Sequence, residues 1–338
     1  MTNSTAGTRG IASVRAAPTR RLILASLCCL WAAGAGAQEP GAPNADCHAP
    51  GLQLQVLGSG GLDLRTTRAA SSYLIWVDGQ ARVLVDIGPG AAKRFGQSGA
   101  RFADLDAILL TQLHADHVSD FPVLVDASRI ENRDRPLRVY GPLGDRVMPS
   151  TVTFVRDLFD ARRGIYRYLG AVISPLAKNP FKLLPQDVRD RPTNMRQRWN
   201  PREEPIKVYA DGRITISAVY LDGGASPALA WRVDSGAQAV AISGDAGSGD
   251  TNLELLVQDV KLLAVPYAVT DDAPDLELAQ FMPPSVLGQI AERAKVRHLI
   301  LGHRTAGTLG REEPALESIR KSFSGEVTFA NDLDCFTP

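Results

Sequence analysis

Two histidines and an aspartate stand together directly after a short apolar run in the first half of the chain. Ala107 to Leu110 contains only apolar side chains, which indicates a buried strand. The next residues, Thr111 to His117, read T-Q-L-H-A-D-H and include two of the five histidines of the chain. Imidazole and carboxylate groups gathered on one turn are typical ligands of Zn²⁺. This stretch therefore predicts a metal-binding turn at the end of a buried strand.

Two further potential ligands also follow apolar runs. Asp245 comes directly after Ser243-Gly244 at the end of one such run, and His303 comes after Leu299 to Gly302. A single aspartate after Ser-Gly usually belongs to a turn, and a single histidine after a strand usually has a structural role. Three such positions in one chain instead favour a shared metal site at one edge of a sheet. The remaining histidines, which we do not expect to be ligands, are His48 and His298.

The order of the predicted elements indicates two similar halves. Strands dominate Leu52 to Asp86 and again Ile206 to Ile242, and helices alternate with strands after each of these stretches. This order favours an α/β fold in which two mixed sheets pack face to face with helices outside. We expect one domain over residues 52–338, with a helical and loop insertion at about residues 141–205, where the periodicity is poor. Candidate pocket walls in this insertion are Tyr166, Tyr168 and Trp199.

The first 37 residues have the pattern of an export signal. Four arginines precede an apolar run from Leu22 to Ala33, and Ala35-Gly36-Ala37 forms a cleavage site of small residues. We expect residues 38–51 to form a linker and the mature protein to be periplasmic or secreted. Because the apolar run is too short to span a membrane comfortably, no membrane partner is expected after cleavage.

The charge balance bears on the choice of substrate. The complete chain has 37 basic and 37 acidic residues. Cleavage would remove four basic and no acidic residues, which leaves 33 basic against 37 acidic residues and a net charge of −4. A slightly acidic exported protein has no general basic field that would attract RNA or DNA. We therefore predict a small-molecule substrate and no nucleic-acid partner, and nothing in the sequence indicates the oligomeric state.

Cys47 and Cys335 are the two cysteines outside the export signal, and they lie near the two ends of the mature chain. In an oxidising compartment such a pair favours a disulfide, and two unpaired buried thiols are the alternative. A bond between them would close a very long loop. It would stabilise the fold by about 4–5 kcal/mol when only the entropy of the unfolded chain is counted.

The sequence Q-x-H-x-D-H at Gln112 to His117 resembles the H-x-H-x-D-H motif of the metallo-β-lactamase superfamily, in particular its ribonuclease Z and arylsulfatase-like branch. The likeness extends from about Leu52 to Phe336 and includes Ser243-Gly244-Asp245 and the last-histidine motif that ends at His303. It implies a four-layer αββα sandwich with metal ions between the sheets at the strand ends. In that family a metal-bound hydroxide attacks the substrate, and the Asp of the D-H pair, here Asp116, orients it.

Two ligand positions of that family lack a histidine in this chain. Gln112 stands where the first histidine belongs, and the middle histidine would fall near Gly223, in a region without any histidine. Both positions serve the first metal of the family, which would keep only His114 and Asp245 here. The resemblance implies a complete set of ligands for the second metal, namely Asp116, His117, Asp245 and His303. We therefore expect one zinc ion rather than two, with Mn²⁺ and Fe²⁺ as alternatives.

Three functions are compatible with this pattern. An exported hydrolase with one metal ion, acting on an ester, a lactone or a phosphate or sulfate ester, is favoured by the complete second set of ligands. A binding protein that keeps the fold without catalysis is favoured by the missing histidines, including one that the family often places near Phe281. A ribonuclease Z-like phosphodiesterase is favoured by the family resemblance alone. We take the hydrolase as the leading hypothesis.

Overall fold

The computed structural model describes residues 46–189, 205–222 and 226–338. The predicted export signal and most of the predicted linker lie outside the described residues. The strands are β1 (Leu52–Gly58), β2 (Ser72–Val77), β3 (Gln80–Val85), β4 (Ala107–Leu109), β5 (Leu137–Gly141), β6 (Leu183–Asp187), β7 (Ile206–Ala210), β8 (Thr215–Leu221), β9 (Ala228–Ser235), β10 (Gln238–Ser243), β11 (Leu262–Pro266), β12 (His298–Gly302), β13 (Glu326–Phe329) and β14 (Cys335–Phe336). The helices are α1 (Ala91–Gln97), α2 (Ala115–Val118), α3 (Phe121–Ala127), α4 (Thr151–Phe159), α5 (Leu253–Leu256), α6 (Asp275–Leu278), α7 (Pro284–Arg293) and α8 (Glu312–Arg320).

The strands form two sheets of seven strands each. The first sheet has the order β14-β1-β2-β3-β4-β5-β6, and the second has the order β13-β12-β11-β10-β9-β8-β7. In the first sheet β1 to β3 are antiparallel and β3 to β6 are parallel. In the second sheet β7 to β10 are antiparallel and β10 to β13 are parallel. The predicted pair of similar halves, each a mixed sheet, is therefore confirmed.

Three apolar clusters fill the spaces between the layers of the fold. The central cluster lies between the sheets and combines Leu54 and Val56 of β1 with Trp231 of β9. One outer cluster packs helices such as α3 and α4 on the first sheet, and the other packs α7 and α8 on the second. The indole Nε1 of Trp231 donates a hydrogen bond to the backbone oxygen of Leu110 at 3.2 Å, which ties the sheets together. The predicted αββα sandwich is thus the observed architecture.

The segment after the metal-binding turn is broken into short pieces. The sequence pattern predicts one helix from Val118 to Ile130, but the structure has α2, α3 and a 3₁₀ turn at Ser128–Ile130. Pro122 explains the break, because its ring has no N–H to donate and fits only the first turn of a helix. It lies in the first turn of α3. The short α2 therefore carries Asp116 and His117 on a turn of its own.

The described part of the predicted insertion contributes to the sheet. Strand β6 pairs in parallel with β5 and forms the edge of the first sheet, and Phe181 and Leu183 are buried. The sequence pattern does not predict β6, because only the first residue of this edge strand is buried and the alternation is weak. Tyr166 packs near Phe159 in the outer cluster, and the hydroxyl of Tyr168 donates to Asp126. Trp199 lies outside the described residues.

The two ends of the domain are joined covalently. Cys47 and Cys335 form the predicted disulfide, with their Cα atoms 5.7 Å apart. The bond attaches the segment before β1 to β14, the strand that pairs with β1 at the edge of the first sheet. Within the described ranges, no helix is both long and apolar enough to cross a membrane.

Candidate metal centre

The candidate ligands lie after strands that end at the same side of each sheet. The turn that begins at Thr111 follows β4, which runs parallel to β3, and Asp86 directly follows β3. In the second sheet Asp245 follows β10 and His303 follows β12. The carboxyl ends of parallel strands lie together at one edge of a sheet, where ligands are usually bound. Both sheets therefore contribute side chains to one centre.

Four side chains converge at this centre. The Nε2 atom of His303 lies 3.2 Å from Asp116 Oδ2 and 3.9 Å from Asp245 Oδ1. The Nε2 atom of His117 lies 3.7 Å from Asp116 Oδ2 and 3.9 Å from Asp245 Oδ2. These are the four residues that the sequence predicts as ligands of a single metal. In addition, donor atoms of Asp116, His117 and His303 all lie within 4.8 Å of one another.

Unsatisfied polar atoms show that this group of side chains fits a cation. Among the described residues, His117 Nε2 and Asp245 Oδ1 are buried and have no hydrogen-bond partner. A buried polar atom without a partner costs about 1–3 kcal/mol, so a native site normally satisfies it. An imidazole nitrogen and a carboxylate oxygen that face one another are satisfied together by a divalent ion. The donor set of two imidazoles and two carboxylates suits zinc and also Mn²⁺ or Fe²⁺.

The ring of His117 is held by a buried carboxylate behind it. Asp86 Oδ2 lies 2.8 Å from His117 Nδ1, and its other carboxylate oxygen accepts from the backbone N–H of Thr111 at 2.7 Å. Because the Nδ1 side of His117 is occupied in this way, Nε2 faces the centre. Burial lowers the pKa of His117, but the negative charge and hydrogen bond of Asp86 outweigh this effect and raise the pKa to about 9. The carboxylates of Asp86, Asp245 and Asp116 all contribute to this rise, and such a group of carboxylates also favours a bound cation.

Asp116 is held in its ionised form. Burial raises the pKa of the Asp116 carboxyl, but the hydrogen bond from His303 and the charge of His117 outweigh burial and hold the pKa far below its ordinary value. The sequence predicts Asp116 as both a ligand and the residue that orients the attacking group, and an ionised carboxylate is needed for both roles. His303 and Asp86 both adopt positive φ angles, of 51° and 56°. Such angles cost about 1–2 kcal/mol for a residue other than glycine and position both side chains at the strand ends.

The other predicted metal position is filled by protein atoms. The side chain of Gln112 lies between His114 and Asp245, and its Nε2 atom is 3.0 Å from His114 Nδ1 and 2.7 Å from Asp245 Oδ2. His114 is therefore near the centre but is not one of the four converging ligands. Gly223, predicted at the position of the missing middle histidine, lies outside the described residues.

The remaining histidines lie in other surroundings. His48 is exposed and its ring lies 4.5 Å from that of Trp76. His298 is buried on β12, where its Nε2 lies 2.9 Å from Thr328 Oγ1. Phe281 stands where the resemblance would allow a further histidine, and its ring centre lies 5.9 Å from that of His303. A small, largely apolar cavity is lined by Phe281, Gly244 and neighbouring residues.

Two residues that contact histidines of the candidate site are not among the residues predicted from the sequence pattern. Asp86 ends a buried strand in the same way as Asp245, so the rule that found Asp245 could also have found it. Ser226 contacts His114, with its Oγ 2.5 Å from His114 Nε2. No pattern near Ser226 gives a signal of this contact, because the two residues are 112 positions apart in the sequence.

The comparison with known protein families decides the identity of the fold. The family model described as the metallo-beta-lactamase superfamily matches residues 65–257. The chain belongs to this superfamily. The superfamily assignment confirms the resemblance drawn from the H-x-H-x-D-H-like motif, and it places the chain in a hydrolase family whose members bind metal ions.

Individual members of the metallo-beta-lactamase superfamily are similar over most of the chain. A ribonuclease Z from Haloferax volcanii is 26% identical over 311 residues, which cover 83% of this chain and 93% of that protein. The crystal structure of the short form of human tRNase Z aligns with a TM-score of 0.63 at 20% identity and covers 84% of this chain and 98% of that one. Zn²⁺-bound PqqB from Methylobacterium extorquens aligns with a TM-score of 0.58 at 13% identity, covering 85% and 100%. The two structural matches show a shared fold.

These relatives correct one of our predictions. We predicted no nucleic-acid partner from the acidic charge of the mature chain, but the similar superfamily members include ribonucleases Z. The prediction is wrong because net charge describes the average field of a whole surface. It does not determine whether a metal centre at the strand ends can accept a phosphodiester.

Proposed function

We propose that this chain is a metal-dependent hydrolase that cleaves phosphate-ester bonds with one metal ion. We assign Asp116, His117, Asp245 and His303 as the groups that hold the ion. The observation that carries the proposal is the convergence of these four side chains on one point, with His117 Nε2 and Asp245 Oδ1 buried and unpaired among the described residues. Zinc is the proposed ion, because two imidazoles and two carboxylates with an open position are typical of catalytic zinc sites.

The side chains around the ion have distinct tasks in this proposal. The ion would lower the pKa of water and polarise a phosphoryl oxygen. Asp86 orients His117 through the bond to Nδ1, so that Nε2 faces inward. The Oδ2 atom of Asp116 faces both His117 and His303. Its Oδ1 atom would accept a hydrogen bond from the attacking water.

Phosphate esters are the proposed substrates because of the similar proteins. The ribonucleases Z are phosphodiesterases by name, and one of them covers 83% of this chain. A second candidate function follows from the same likeness, namely hydrolysis of RNA. RNA therefore belongs among the substrates to be tested together with small phosphodiesters. We further propose that the protein is exported, which is supported by the signal-like N-terminus and by the disulfide between Cys47 and Cys335.

Metal content tests the proposal directly. Protein purified without chelator should hold about one zinc ion per chain, measured by elemental mass spectrometry, and the variants Asp116→Ala and His303→Ala should lose it. His48→Ala is the matched control, because this exposed histidine lies outside the centre and should leave the metal content unchanged. Less than about 0.2 ions per chain, with no gain after zinc is added, would contradict the proposal.

Hydrolysis assays separate an enzyme from a binding protein of the same fold. The zinc-loaded protein should cleave bis(p-nitrophenyl) phosphate, and His303→Ala should abolish this activity. An RNA with a 3′ extension, assayed under the same conditions, tests the second candidate. A protein that binds one zinc ion but cleaves neither substrate would be a binding protein.

A further inference from the structure

The carboxamide of Gln112 has a fixed orientation in the protein. The backbone N–H of Asp245 points at Gln112 Oε1 at 3.1 Å, and Gln112 Nε2 faces the carboxylate oxygen Asp245 Oδ2 at 2.7 Å. A backbone N–H can only donate and a carboxylate can only accept, so the amide oxygen and nitrogen cannot be exchanged. Gln112 is almost fully buried, with 1% of its surface exposed. Both ends of its amide are therefore engaged by Asp245.

The amide nitrogen stands at a point where two acceptors meet. Besides Asp245 Oδ2, the ring nitrogen Nδ1 of His114 faces Gln112 Nε2 at 3.0 Å. An imidazole lone pair and a carboxylate oxygen that converge on one point can be satisfied by a cation or by the two N–H bonds of one NH₂ group. Gln112 Oε1 is its only atom with ligand character, and one of its two lone pairs accepts from the N–H of Asp245.

We propose that the Gln112 carboxamide takes the place of a second metal ion, so that the centre holds only one ion. Its two N–H groups occupy the acceptors that a second ion would need, and they carry no net charge. This inference rests on the proposed single-metal function, because it explains why one ion is held and a second is excluded. It assigns Gln112 as a positioning residue rather than a weak ligand.

A directed chain of hydrogen bonds follows from this arrangement. Because His114 Nδ1 accepts from Gln112, the ring proton of His114 must lie on Nε2. That Nε2–H donates to Ser226 Oγ, which lies 2.5 Å away. The oxygen of Ser226 thus accepts from His114, and its own proton remains to donate to another group. The hydrogen-bonded chain Gln112, His114 and Ser226 thus ends in a neutral donor, and Ser226 is only partly buried.

The substrate class defines what this donor would contact. A hydroxyl proton at the edge of a metal centre suits a phosphoryl oxygen, which is a strong acceptor. We therefore assign Ser226 as a residue that binds a non-bridging oxygen of the phosphate ester. The donor would replace part of the contact that a second ion makes with a phosphodiester.

The tautomer of His114 can be measured without any activity. In metal-free protein labelled with ¹⁵N-histidine, long-range ¹H–¹⁵N spectra assigned with His114→Ala should show Nδ1 of His114 unprotonated and Nε2 protonated. In Gln112→Leu, which has no N–H to donate, this tautomer should no longer be fixed. A proton on Nδ1 of His114 in the native protein would overturn the inference.

Metal stoichiometry provides the second measurement. The native protein should bind about one zinc ion even in excess zinc, and Gln112→Glu should bind about two, because a carboxylate at this point removes both N–H groups and adds a ligand. Two ions in the native protein, or one in Gln112→Glu, would overturn the substitution. Absence of metal from the native protein, combined with the expected tautomer, would instead contradict the proposed function and leave the role of Gln112 standing.

Ser226 is tested by binding and by kinetics. Ser226→Ala should weaken the binding of inorganic phosphate and raise the KM for bis(p-nitrophenyl) phosphate about tenfold, the effect of one hydrogen bond to a charged group. The zinc content should stay close to the native value, and Ser226→Thr should restore phosphate binding because it keeps the hydroxyl. Unchanged phosphate affinity in Ser226→Ala would overturn the assignment of Ser226.

Discussion

The carboxylate of Asp86 connects the end of β3 to two parts of the metal-binding turn. It accepts from the backbone N–H of Thr111 at 2.7 Å and from its hydroxyl at 2.6 Å, and it holds His117 Nδ1 at 2.8 Å. A carboxylate behind a histidine ligand fixes the ring orientation and tautomer and increases the basicity of the ligating nitrogen. In the proposed metal centre, Asp86 would therefore act on the ion through His117.

Replacement of Asp86 tests this role. In Asp86→Asn the amide can still accept from Thr111, but its NH₂ group would favour an unprotonated His117 Nδ1 and place the ring proton on Nε2, where the ion should bind. We expect zinc affinity to fall about 10–100-fold, measured by competition with a chromophoric chelator. The control is Asp106→Asn, a buried carboxylate at the opposite end of β4 that pairs with Arg82 and Arg135. Equal zinc affinity in both variants would contradict the role of Asp86.

Site residues could be predicted where the neighbouring sequence indicates them. Asp116, His117, Asp245 and His303 each follow an apolar strand, so the sequence indicates both their position and their chemistry. The sequence also marks Gln112 as a departure from the motif. It does not show that the Gln112 amide bonds Asp245, because that contact depends on how the two sheets face one another.

At the scale of elements, the loop after β3 packs closely against the turn α2. A Cβ atom on Gly88 would lie 2.1 Å from the backbone oxygen of Asp116 and 2.9 Å from the Cβ of Ala70. The backbone N–H of Ile87 donates to the carbonyl of His117 at 2.7 Å, so the two segments are also hydrogen-bonded. The position of Asp116 and His117 therefore depends on the absence of a side chain at residue 88.

Two substitutions distinguish the close packing at Gly88 from the general effect of replacing a glycine by alanine. Gly88→Ala should lower the free energy of unfolding by about 1–3 kcal/mol through overpacking, and it should weaken zinc binding as α2 moves. Gly96→Ala, in α1, has no atom within 4 Å of the new Cβ and should raise stability by about 0.5–1 kcal/mol. Urea unfolding and zinc titration of both variants provide the measurements. Native zinc affinity in Gly88→Ala would disprove the coupling between Gly88 and α2.

Most strands were predictable because buried strands carry clear apolar runs. The apolar pattern fails to predict an element where a proline or exposed side chains interrupt it. Pro122 divides a predicted helix into α2, α3 and a 3₁₀ turn, and the edge strand β6 buries too few side chains to be recognised. Strand β14 has two residues and is defined only by its pairing with β1, which no local pattern can show.

The proposed metal centre joins the two halves of the whole molecule. Asp116 and His117 come from the first sheet, and Asp245 and His303 come from the second. An ion held by all four therefore binds only when the sheets are packed together, so binding should stabilise the folded state as a whole. A ligand at 100 times its Kd contributes about 2.7 kcal/mol.

Thermal unfolding with and without metal checks this coupling. Zinc should raise the Tm of the native protein and a chelator should lower it, because the ion binds the folded state alone. His303→Ala should show no difference between the two conditions, whereas His48→Ala should behave like the native protein. A zinc-dependent Tm that persists in His303→Ala would place the stabilising ion elsewhere.

The disulfide also stabilises the molecule as a whole. Cys47 and Cys335 are 288 positions apart, so the bond restricts almost the entire unfolded chain. The double substitution to serine should lower the free energy of unfolding by about 4–5 kcal/mol, measured in urea. A reducing agent should destabilise the native protein to a similar extent and leave the double variant unchanged. Equal stability of the native and variant proteins would show that the bond constrains little.

Because Cys47 and Cys335 are bonded, the chain between them is a covalent ring, and a single cut does not divide it. Arg162 and Arg163 lie in an exposed turn after α4, where a trypsin-like protease could reach the backbone. A molecule cut there would still carry both sheets on one covalent unit, and its pieces would separate on a denaturing gel only after reduction. In an environment rich in proteases, the bond would thus let a nicked molecule keep its metal centre assembled.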